Sequence, residues 1–281
     1  MRALVYHGPG RKAWEDVPDA TVQDPTDVVV RVDTTTICGT DLHILQGDVA
    51  AVADGRILGH EAVGTVTAVG DAIKGFAVGD RVLVPAITTG YEVGVLAGGV
   101  RPGHTVAVVG CGAVGLAAIL TTGLWGASRV IGVDTNKFRL EKAMDFGATD
   151  MVEAGPDTVA EVLALTDGLG VDVAIEAVGY PETLLTAAAL VRPGGSIANI
   201  GVHGAPVQLP MQDLWIHNVT LTMGLVDTVS IPTLLTMVAG GRIPAEKMGT
   251  HTFLFDQIDE AYDVFRDARD HQALKVIISP S

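Results

Sequence analysis

Two short stretches near the N-terminus combine side chains that can bind a metal ion. The first is Cys38-Gly-Thr-Asp-Leu-His43 and the second is Gly59-His60-Glu61-Ala-Val-Gly64. A cysteine thiolate and a neutral imidazole are ligands of the softness that zinc prefers, and a carboxylate can serve as a third. Taken separately, Cys38 also suits a small buried hydrophobic position and His60 a hydrogen-bonded turn. The metal interpretation therefore depends on what else the chain contains.

A glycine-rich turn lies in the middle of the chain, between a β-branched run and an Ala/Leu-rich run. The run from Thr105 to Val109 predicts a strand, and the turn after it reads Gly110-Cys-Gly112-Ala-Val-Gly115. In the spacing G-x-G-x-x-G, the first glycine permits a tight turn and the second lets the backbone approach a pyrophosphate. The third lets the following helix, whose N-terminus attracts phosphate, pack on the strand. The stretch therefore indicates dinucleotide binding.

An acidic residue, Asp134, ends the next predicted strand, 19 residues beyond Gly115. At that distance a carboxylate accepts hydrogen bonds from the adenosine ribose and repels a 2′-phosphate, which favours NAD over NADP. Val114 in the turn and Arg139 in the following predicted helix are further candidates for cofactor contacts. The uncharged run from Thr105 to Ser128 is also long enough to span a bilayer. Its spread of glycines and threonines favours a buried strand, turn and helix instead.

The composition of the 281-residue chain, 48% hydrophobic and 18% charged, is typical of a compact soluble enzyme. Its formal net charge of −15 argues against nucleic acid, whose phosphates demand Lys and Arg, and against anionic membrane surfaces. The two cysteines, Cys38 and Cys111, imply no disulfide framework, and the N-terminus lacks the apolar core of a signal peptide. We therefore expect a cytoplasmic protein with no nucleic-acid or membrane partner.

The pattern of the chain changes twice. Residues 1–89 carry short alternating runs between Gly, Pro and Asp, which predict a small antiparallel barrel or sandwich. In residues 90–224 strand and helix patterns alternate, which predicts a doubly wound parallel sheet with cofactor across its carboxyl edge. Residues 225–281 end in a predicted helix, Phe255–Ala268, and a strand, Leu274–Ile278. The apolar face of that helix comprises Ile258, Ala261, Tyr262 and Phe265.

Five further histidines have no ligand-like neighbours in the sequence. We expect them to lie in loops or at helix ends, without a role in the site. They are His104, His203, His217, His251 and His271.

Taken together, the motifs resemble those of the zinc-dependent medium-chain alcohol dehydrogenases. The resemblance lies in Cys38–His43, in Gly59–Gly64, in the run Gly79-Asp-Arg-Val82 and in the glycine turn, and it covers nearly the whole chain. Zinc-free quinone reductase relatives lack the Cys and His-Glu pairing. The resemblance implies an α/β fold with a Rossmann domain and a GroES-like antiparallel β-barrel domain, to which the C-terminal segment, including Lys275, returns.

The resemblance also implies which residues bind the metal. Cys38 and His60 would hold a catalytic zinc, and Glu61 is an adjacent carboxylate able to coordinate it when solvent or substrate leaves. Asp41 would fix the tautomer of His60.

Proton transfer and cofactor contacts follow from the same resemblance. Thr40 would take the proton of the alcohol, and His43 would pass it to solvent through the cofactor ribose. Val178 and Val202, in the loops after the fourth and fifth predicted strands, would contact the cofactor. Both loops are equally consistent with ordinary tight turns.

The chain departs from this family between Asp80 and Gly110, which are only 30 residues apart. Members usually carry several tens of further residues there, including a four-cysteine structural zinc lobe and a third protein ligand for the catalytic zinc. Because no cysteine lies between Cys38 and Cys111, we expect one catalytic zinc and no structural zinc. We place the gap near Thr89, and we expect weaker zinc binding and exposed barrel edges as its consequences.

The sequence therefore predicts a shortened, NAD-dependent, zinc-assisted alcohol dehydrogenase that interconverts an alcohol with an aldehyde or ketone by hydride transfer. The alternative is a catalytically impaired NAD-binding protein that keeps the fold but lacks a complete zinc site. The predicted strand Val219–Met223 corresponds to an edge that joins subunits in relatives, so we expect a homodimer or homotetramer. The residues do not identify the alcohol, and a wide, unselective substrate pocket is expected.

Overall fold

The structure, a computed structural model, describes residues 1–85 and 88–280. The strands are β1 (Arg2–Tyr6), β2 (Lys12–Asp16), β3 (Val28–Thr36), β4 (Arg56–Ile57), β5 (Ala62–Val69), β6 (Arg81–Val84), β7 (Thr105–Val109), β8 (Arg129–Asp134), β9 (Asp150–Glu153), β10 (Val171–Glu176), β11 (Val191–Asn199), β12 (Thr220–Met223), β13 (Gly249–Leu254) and β14 (Lys275–Ser279). The α-helices are α1 (Gly39–Gln46), α2 (Ala113–Leu124), α3 (Lys137–Asp145), α4 (Thr158–Leu165), α5 (Pro181–Leu190), α6 (Met211–Leu214), α7 (Ile231–Ala239), α8 (Ile258–Arg266) and α9 (Ala268–His271). A π-helical segment spans Gly90–Ala97.

The chain divides into two compact units. The first comprises Met1–Ala86 with Glu246–Ser281, and the second comprises Ile87–Ala245. Residues 225–245 thus belong with the second unit, whereas the division made from the sequence groups them with the C-terminal segment. The reason is local: Ser230, the N-cap residue of helix α7, donates its backbone N–H to Glu92 of the π-helical segment at 2.8 Å.

The second unit contains a six-stranded sheet in the order β12-β11-β10-β7-β8-β9, and every pairing in it is parallel. The strands of a parallel sheet have continuous apolar sequences because helices cover both faces of the sheet. In β7, Val106, Ala107 and Val108 are all 0% exposed. The strand order reverses at β7, so the predicted doubly wound sheet is confirmed.

Residues 105–128 form β7, the glycine turn and α2, as their glycines and threonines predict. Within the described residues, no helix is long and apolar enough to cross a bilayer.

The first unit contains two sheets, one in the order β2-β1-β4 and one in the order β13-β14-β3-β5-β6. All pairings among the strands of residues 1–85 are antiparallel, as predicted. In the C-terminal segment β14 pairs antiparallel with β3, whereas β13 runs parallel to β14. The predicted apolar face of α8 is buried in the core of this unit, against side chains such as Leu4, Ile37 and Val276. Among the residues that the structure describes, strand β6 ends the larger sheet and pairs on one side only.

The short helix α1 has no counterpart among the elements predicted from the sequence. Cys38 occupies its N-cap position, and Gly47 ends it in the left-handed conformation with φ of 89°. The eight residues of α1 carry few apolar side chains, so a periodic pattern could not reveal it. The helix is important because it fixes the spacing of Thr40, Asp41 and His43.

Candidate metal centre and dinucleotide site

Three potential metal ligands converge in the first unit. Cys38 follows β3 and precedes α1, while His60 and Glu61 immediately precede β5. One ligand atom from each of these side chains lies within 4.8 Å of the other two. Cys38 and Glu61 are buried and His60 is exposed at one side. A thiol, an imidazole and a carboxylate in this arrangement match the donor set that zinc prefers.

The buried carboxylate of Asp41 links two of these ligands. Asp41 is 1% exposed, and its Oδ2 accepts a hydrogen bond of 2.9 Å from the backbone N–H of Cys38. Its Oδ1 lies 3.4 Å from Nδ1 of His60. A carboxylate beside one ring nitrogen orients the imidazole and leaves Nε2 for a metal. The predicted pairing of Asp41 with His60 is therefore present in the geometry.

The acidic surroundings of His60 change its protonation. Hydrogen bonding to Asp41, and then to Cys38, raises the pKa of His60 from 6.5 to about 10 and outweighs the opposing effect of burial. A proton therefore stabilises this cluster when no metal does. Because a histidine must be neutral to coordinate a metal, metal binding has to displace that proton.

The carboxylate of Glu61 is bound by Lys275, for which the sequence predicted only a place in the C-terminal segment. Lys275, on β14, is buried, and its ammonium group contacts the Glu61 carboxylate and donates to the carbonyl of Ile37 at 3.2 Å. The hydroxyl of Thr36 donates to the same carboxylate oxygen. The C-terminal strand thus supports the cluster of metal ligands. In the sequence, the apolar neighbours of Lys275 in Ala-Leu-Lys-Val-Ile were the available sign that this lysine is buried.

The two predicted proton-transfer residues lie on α1. The Thr40 hydroxyl oxygen is 3.8 Å from Cys38 Sγ, so it stands next to the metal cluster. His43 is further along the helix, and its Nδ1 lies 2.7 Å from Oδ2 of Asp48. Asp48 was missed from the sequence, which paired His43 with the cofactor alone. The roles of Thr40 and His43 in proton transfer stay predictions.

In the second unit the glycine turn has the geometry that its spacing predicts. Gly110 has φ of 96°, a conformation that L side chains rarely adopt. A Cβ at Gly115 would lie 1.8 Å from the carbonyl oxygen of Gly110, so only glycine allows this packing. A Cβ at Gly112 would meet nothing nearer than Arg139 Nη1 at 3.9 Å. The turn therefore leaves open space where a pyrophosphate would approach.

Asp134 and Arg139 lie beside this turn. Asp134 is 8% exposed, and its two oxygens accept backbone N–H groups of Cys111 at 2.7 Å and Asn136 at 2.8 Å. Nε of Arg139 is buried and has no hydrogen-bond partner within the described residues. An unsatisfied buried donor on a side chain whose end lies beside the glycine turn fits an anionic ligand. The residues present thus fit a dinucleotide.

The remaining predicted cofactor residues lie near the same turn. A Cβ at Gly110 would come 2.5 Å from Cγ2 of Val178, and a Cβ at Gly179 would come 2.1 Å from the carbonyl oxygen of Val202. Val114 lies in the first turn of α2, where its carbonyl packs close to Gly90. The structure therefore gathers these residues, and their contacts with a cofactor stay predictions.

Comparison with known proteins identifies the family. A family model described as zinc-binding dehydrogenase matches residues 113–239, and one described as alcohol dehydrogenase GroES-like domain matches residues 24–127. The solved apo form of zinc dependent alcohol dehydrogenase 2 from Streptococcus pneumonia is 38% identical, with a TM-score of 0.95 over 100% of this chain and 99% of that one. The chain belongs to the zinc-binding alcohol dehydrogenase family. The predicted fold, a Rossmann unit with a GroES-like unit, is confirmed.

Two curated relatives refine this assignment. An alcohol dehydrogenase from Cupriavidus necator is 29% identical over 364 aligned positions that include 100% of this chain and 99% of the relative. Because this chain has 281 residues, at least 83 of those positions (364 − 281) have no counterpart here. An NADP-dependent isopropanol dehydrogenase from Thermoanaerobacter brockii is 29% identical, over 95% of this chain and 96% of that protein. The zinc-binding alcohol dehydrogenase family implies zinc and a nicotinamide cofactor, and the chain is a shortened form.

Proposed function

We propose that this protein is an NAD-dependent, zinc-assisted alcohol dehydrogenase that interconverts an alcohol with an aldehyde or ketone. The observation that carries the proposal is the convergence of Cys38, His60 and Glu61, whose ligand atoms lie within 4.8 Å of one another. Asp41 orients the imidazole from the side away from the metal. This site belongs to a chain whose second unit presents an open glycine turn for a dinucleotide.

The residues of the first unit would act on the proton of the alcohol. Zinc supplies Lewis acidity, which allows an alcohol to lose its proton near neutral pH. Thr40, whose hydroxyl stands 3.8 Å from Cys38 Sγ, would accept that proton, and His43 would pass it on toward solvent. Asp48, within 2.7 Å of His43, would hold the imidazole in one orientation during that transfer.

The choice of NAD over NADP rests on Asp134. Its carboxylate ends β8 beside the glycine turn and is anchored by two backbone N–H groups, so it cannot swing away from an added phosphate. Negative charge in this position disfavours a 2′-phosphate. The Thermoanaerobacter brockii relative is described as NADP-dependent, so cofactor choice varies among relatives of this chain.

The direct test is alcohol-dependent formation of NADH, followed by absorbance, with purified protein of measured zinc content. We expect turnover with NAD, faster in zinc-loaded than in chelator-treated protein, and little turnover with NADP. Primary, secondary and aromatic alcohols should be compared, and we expect broad acceptance because at least 83 positions of a full-length relative are missing. Preference for NADP would contradict the role given to Asp134.

A second candidate function is that of an NAD-binding protein with an impaired metal site. It is favoured by the contact of Glu61 with Lys275 and Thr36, which competes with coordination of a metal by that carboxylate. NAD binding without turnover, with or without added zinc, would support this alternative and reject the first proposal.

We also propose that the protein is a homodimer or homotetramer through β12. Strand β12 is an edge of the six-stranded sheet, and no described strand pairs with its outer side. Large apolar side chains on and after it are exposed, including Met223 at 63% and Leu225 at 96%. Light scattering should give a mass of at least two chains, and Met223→Lys with Leu225→Lys should yield monomers.

A further inference from the structure

A fully buried acidic side chain, Glu176, ends strand β10 and has no role in the chemistry described above. It is 0% exposed. Its Oε1 accepts hydrogen bonds from the backbone N–H groups of Val178 and Gly179, both at 2.8 Å, and from the hydroxyl of Thr183 at 2.7 Å. Three donors that converge on one carboxylate oxygen stabilise negative charge on it.

The other oxygen of Glu176 faces the loop after β11. Nε2 of His203 lies 3.5 Å from Glu176 Oε2 and 2.9 Å from Oδ1 of Asn199. Both neighbours of this nitrogen are acceptors, so it carries a proton. A Cβ at Gly201 would come 2.5 Å from Oε2, which means that the backbone passes directly against the carboxylate. Within the described residues, Oε2 is buried without a hydrogen bond.

The position of Glu176 in the sheet indicates which half of a bound dinucleotide would lie near it. Asp134 ends β8, on one side of the reversal at β7, and marks the adenosine half of a dinucleotide site. Strands β10 and β11 lie on the other side of β7. A dinucleotide across the carboxyl edge of the sheet extends its second nucleotide, which bears the nicotinamide, toward these strand ends. Glu176 holds the loops that contain Val178 and Val202 there.

We propose that Glu176 biases this site toward the oxidised form of the nicotinamide cofactor. The oxidised ring carries a positive charge, and hydride transfer to it removes that charge. A negative charge fixed at the end of β10 therefore stabilises the oxidised form and gives no such benefit to the reduced form. The inference rests on the proposed function, because it requires a nicotinamide at this edge of the sheet.

The test compares dissociation constants for NAD⁺ and NADH, measured by titration calorimetry, in the wild type and in Glu176→Gln. Glutamine keeps the size of the side chain and an acceptor oxygen but removes the charge. We expect the ratio of the NAD⁺ to the NADH dissociation constant to rise by roughly tenfold, the effect of one charge at about 10 Å and an effective dielectric constant of about 20. An equal loss of affinity for both forms, or no loss, would overturn the proposal and leave Glu176 a purely structural residue.

Two variants of His203 provide the same test if Glu176→Gln does not fold. His203→Lys places a permanent positive charge beside Oε2, and His203→Gln keeps an N–H donor for Asn199 without one. The lysine variant should shift the ratio in the same direction as Glu176→Gln, and the glutamine variant should leave it near the wild-type value. Identical ratios in both variants would reject the proposal.

Different results would contradict the proposed function and the role of Glu176. A wild-type protein that binds neither NAD⁺ nor NADH contradicts the proposed function and this inference with it. A wild-type protein that binds both, with a ratio that none of the variants moves, contradicts the inference alone.

Discussion

The two compact units differ in how completely their sheets are enclosed. In the second unit, strand β7 is paired on both sides, and Val106, Ala107 and Val108 are 0% exposed. In the first unit, β6 is paired on one side only within residues 1–85 and 88–280, and its Leu83 and Val84 are 43% and 40% exposed. The edge strand β12 of the second unit also exposes Met223, at 63%, so the difference lies at the centre of the parallel sheet, which is fully covered. The exposed edge of the first unit lies next to the stretch where the sequence predicts a gap.

The residues that support the cluster of potential metal ligands lie away from this exposed edge. Cys38 is fixed by Asp41 within the same helical turn, and Glu61 is fixed by Lys275 from the last strand. None of these residues belongs to the exposed edge at β6. The cluster of metal ligands therefore depends on a few buried polar contacts, whereas the parallel sheet of the second unit depends on a continuous apolar core. Four substitutions test whether the two units are stabilised in these different ways.

The largest effect is expected from Cys38→Ser. Loss of the thiol removes the softest of the three ligands, and we expect alcohol oxidation and zinc retention to fall by more than about 100-fold. NAD affinity should stay near the wild-type value because the dinucleotide residues lie in the second unit. Activity assays, elemental analysis and cofactor titration check this. Cys111→Ala is the matched control and should keep its zinc, and equal activity in Cys38→Ser would exclude the assigned site.

Lys275→Met should destabilise the first unit selectively. Removing the ammonium leaves the buried Glu61 carboxylate without its cation, a change that typically costs about 3–5 kcal/mol. Hydrogen exchange of zinc-free protein, measured by mass spectrometry, should accelerate in residues 1–85 and 246–280 and remain unchanged in residues 88–245.

Two further variants sharpen that prediction. Lys247→Met changes an exposed lysine of the same unit and should have no such effect. The double variant Glu61→Gln with Lys275→Met should recover part of the protection, because the unpaired charge is gone. Acceleration spread evenly over both units would argue against separate modes of support.

Asp41→Asn should weaken zinc binding without removing a ligand. An amide orients the imidazole of His60 less strongly than a carboxylate, and changes at such supporting residues typically cost about 10–100-fold in metal affinity. Competition with a chelating dye measures the affinity. Asp48→Asn alters the carboxylate beside His43 instead and should leave zinc affinity intact, so a similar loss in both variants would contradict the role of Asp41.

The smallest effect is expected from Arg192→Gln in the second unit. Asp172 accepts the backbone N–H of Thr105 at 2.8 Å and two contacts from Arg192, at 2.7 and 2.6 Å. Burial by itself would raise the pKa of Asp172, but these donors lower it below its usual value. A carboxyl group with a lowered pKa stabilises the fold above its unfolded pKa and loses that contribution as the pH falls through the folded value.

Arg192→Gln should therefore lower the free energy of unfolding by about 1 kcal/mol near neutral pH. The difference from wild type should shrink as the pH falls below about 4, where Asp172 takes up a proton in the unfolded chain. Thermal unfolding at neutral and acid pH measures it, with Arg101→Gln, an exposed arginine, as the control. A difference that stays constant with pH would show that Asp172 is not its source.

Prediction from sequence succeeded where the determinants are local. Gly110, Gly112 and Gly115 lie within six residues, and their spacing alone predicts a turn in which the positions of Gly110 and Gly115 require glycine. The apolar face of α8 was likewise read from its helical period. Cys38 and His60 stood out because their types and neighbours form recognisable motifs, and the structure brings them together.

Contacts between distant positions could not be predicted in this way. Lys275 meets Glu61 across 214 residues of sequence, and nothing in either neighbourhood indicates the other. His203 was assigned to a loop without ligand-like neighbours, yet it lies beside Glu176, because parallel strands bring the ends of β10 and β11 to one edge. Such pairings are set by topology, which a single sequence encodes only indirectly.

The central claim is that a metal binds to Cys38, His60 and Glu61 although the surrounding structure is reduced. X-ray absorption at the zinc edge, on protein dialysed after loading with zinc, tests this claim most directly. The account predicts about one zinc per chain with one sulfur at about 2.3 Å and nitrogen or oxygen ligands at about 2.0 Å, and loss of the sulfur shell in Cys38→Ser. Protein that retains no zinc, or zinc surrounded by nitrogen and oxygen alone, would contradict it.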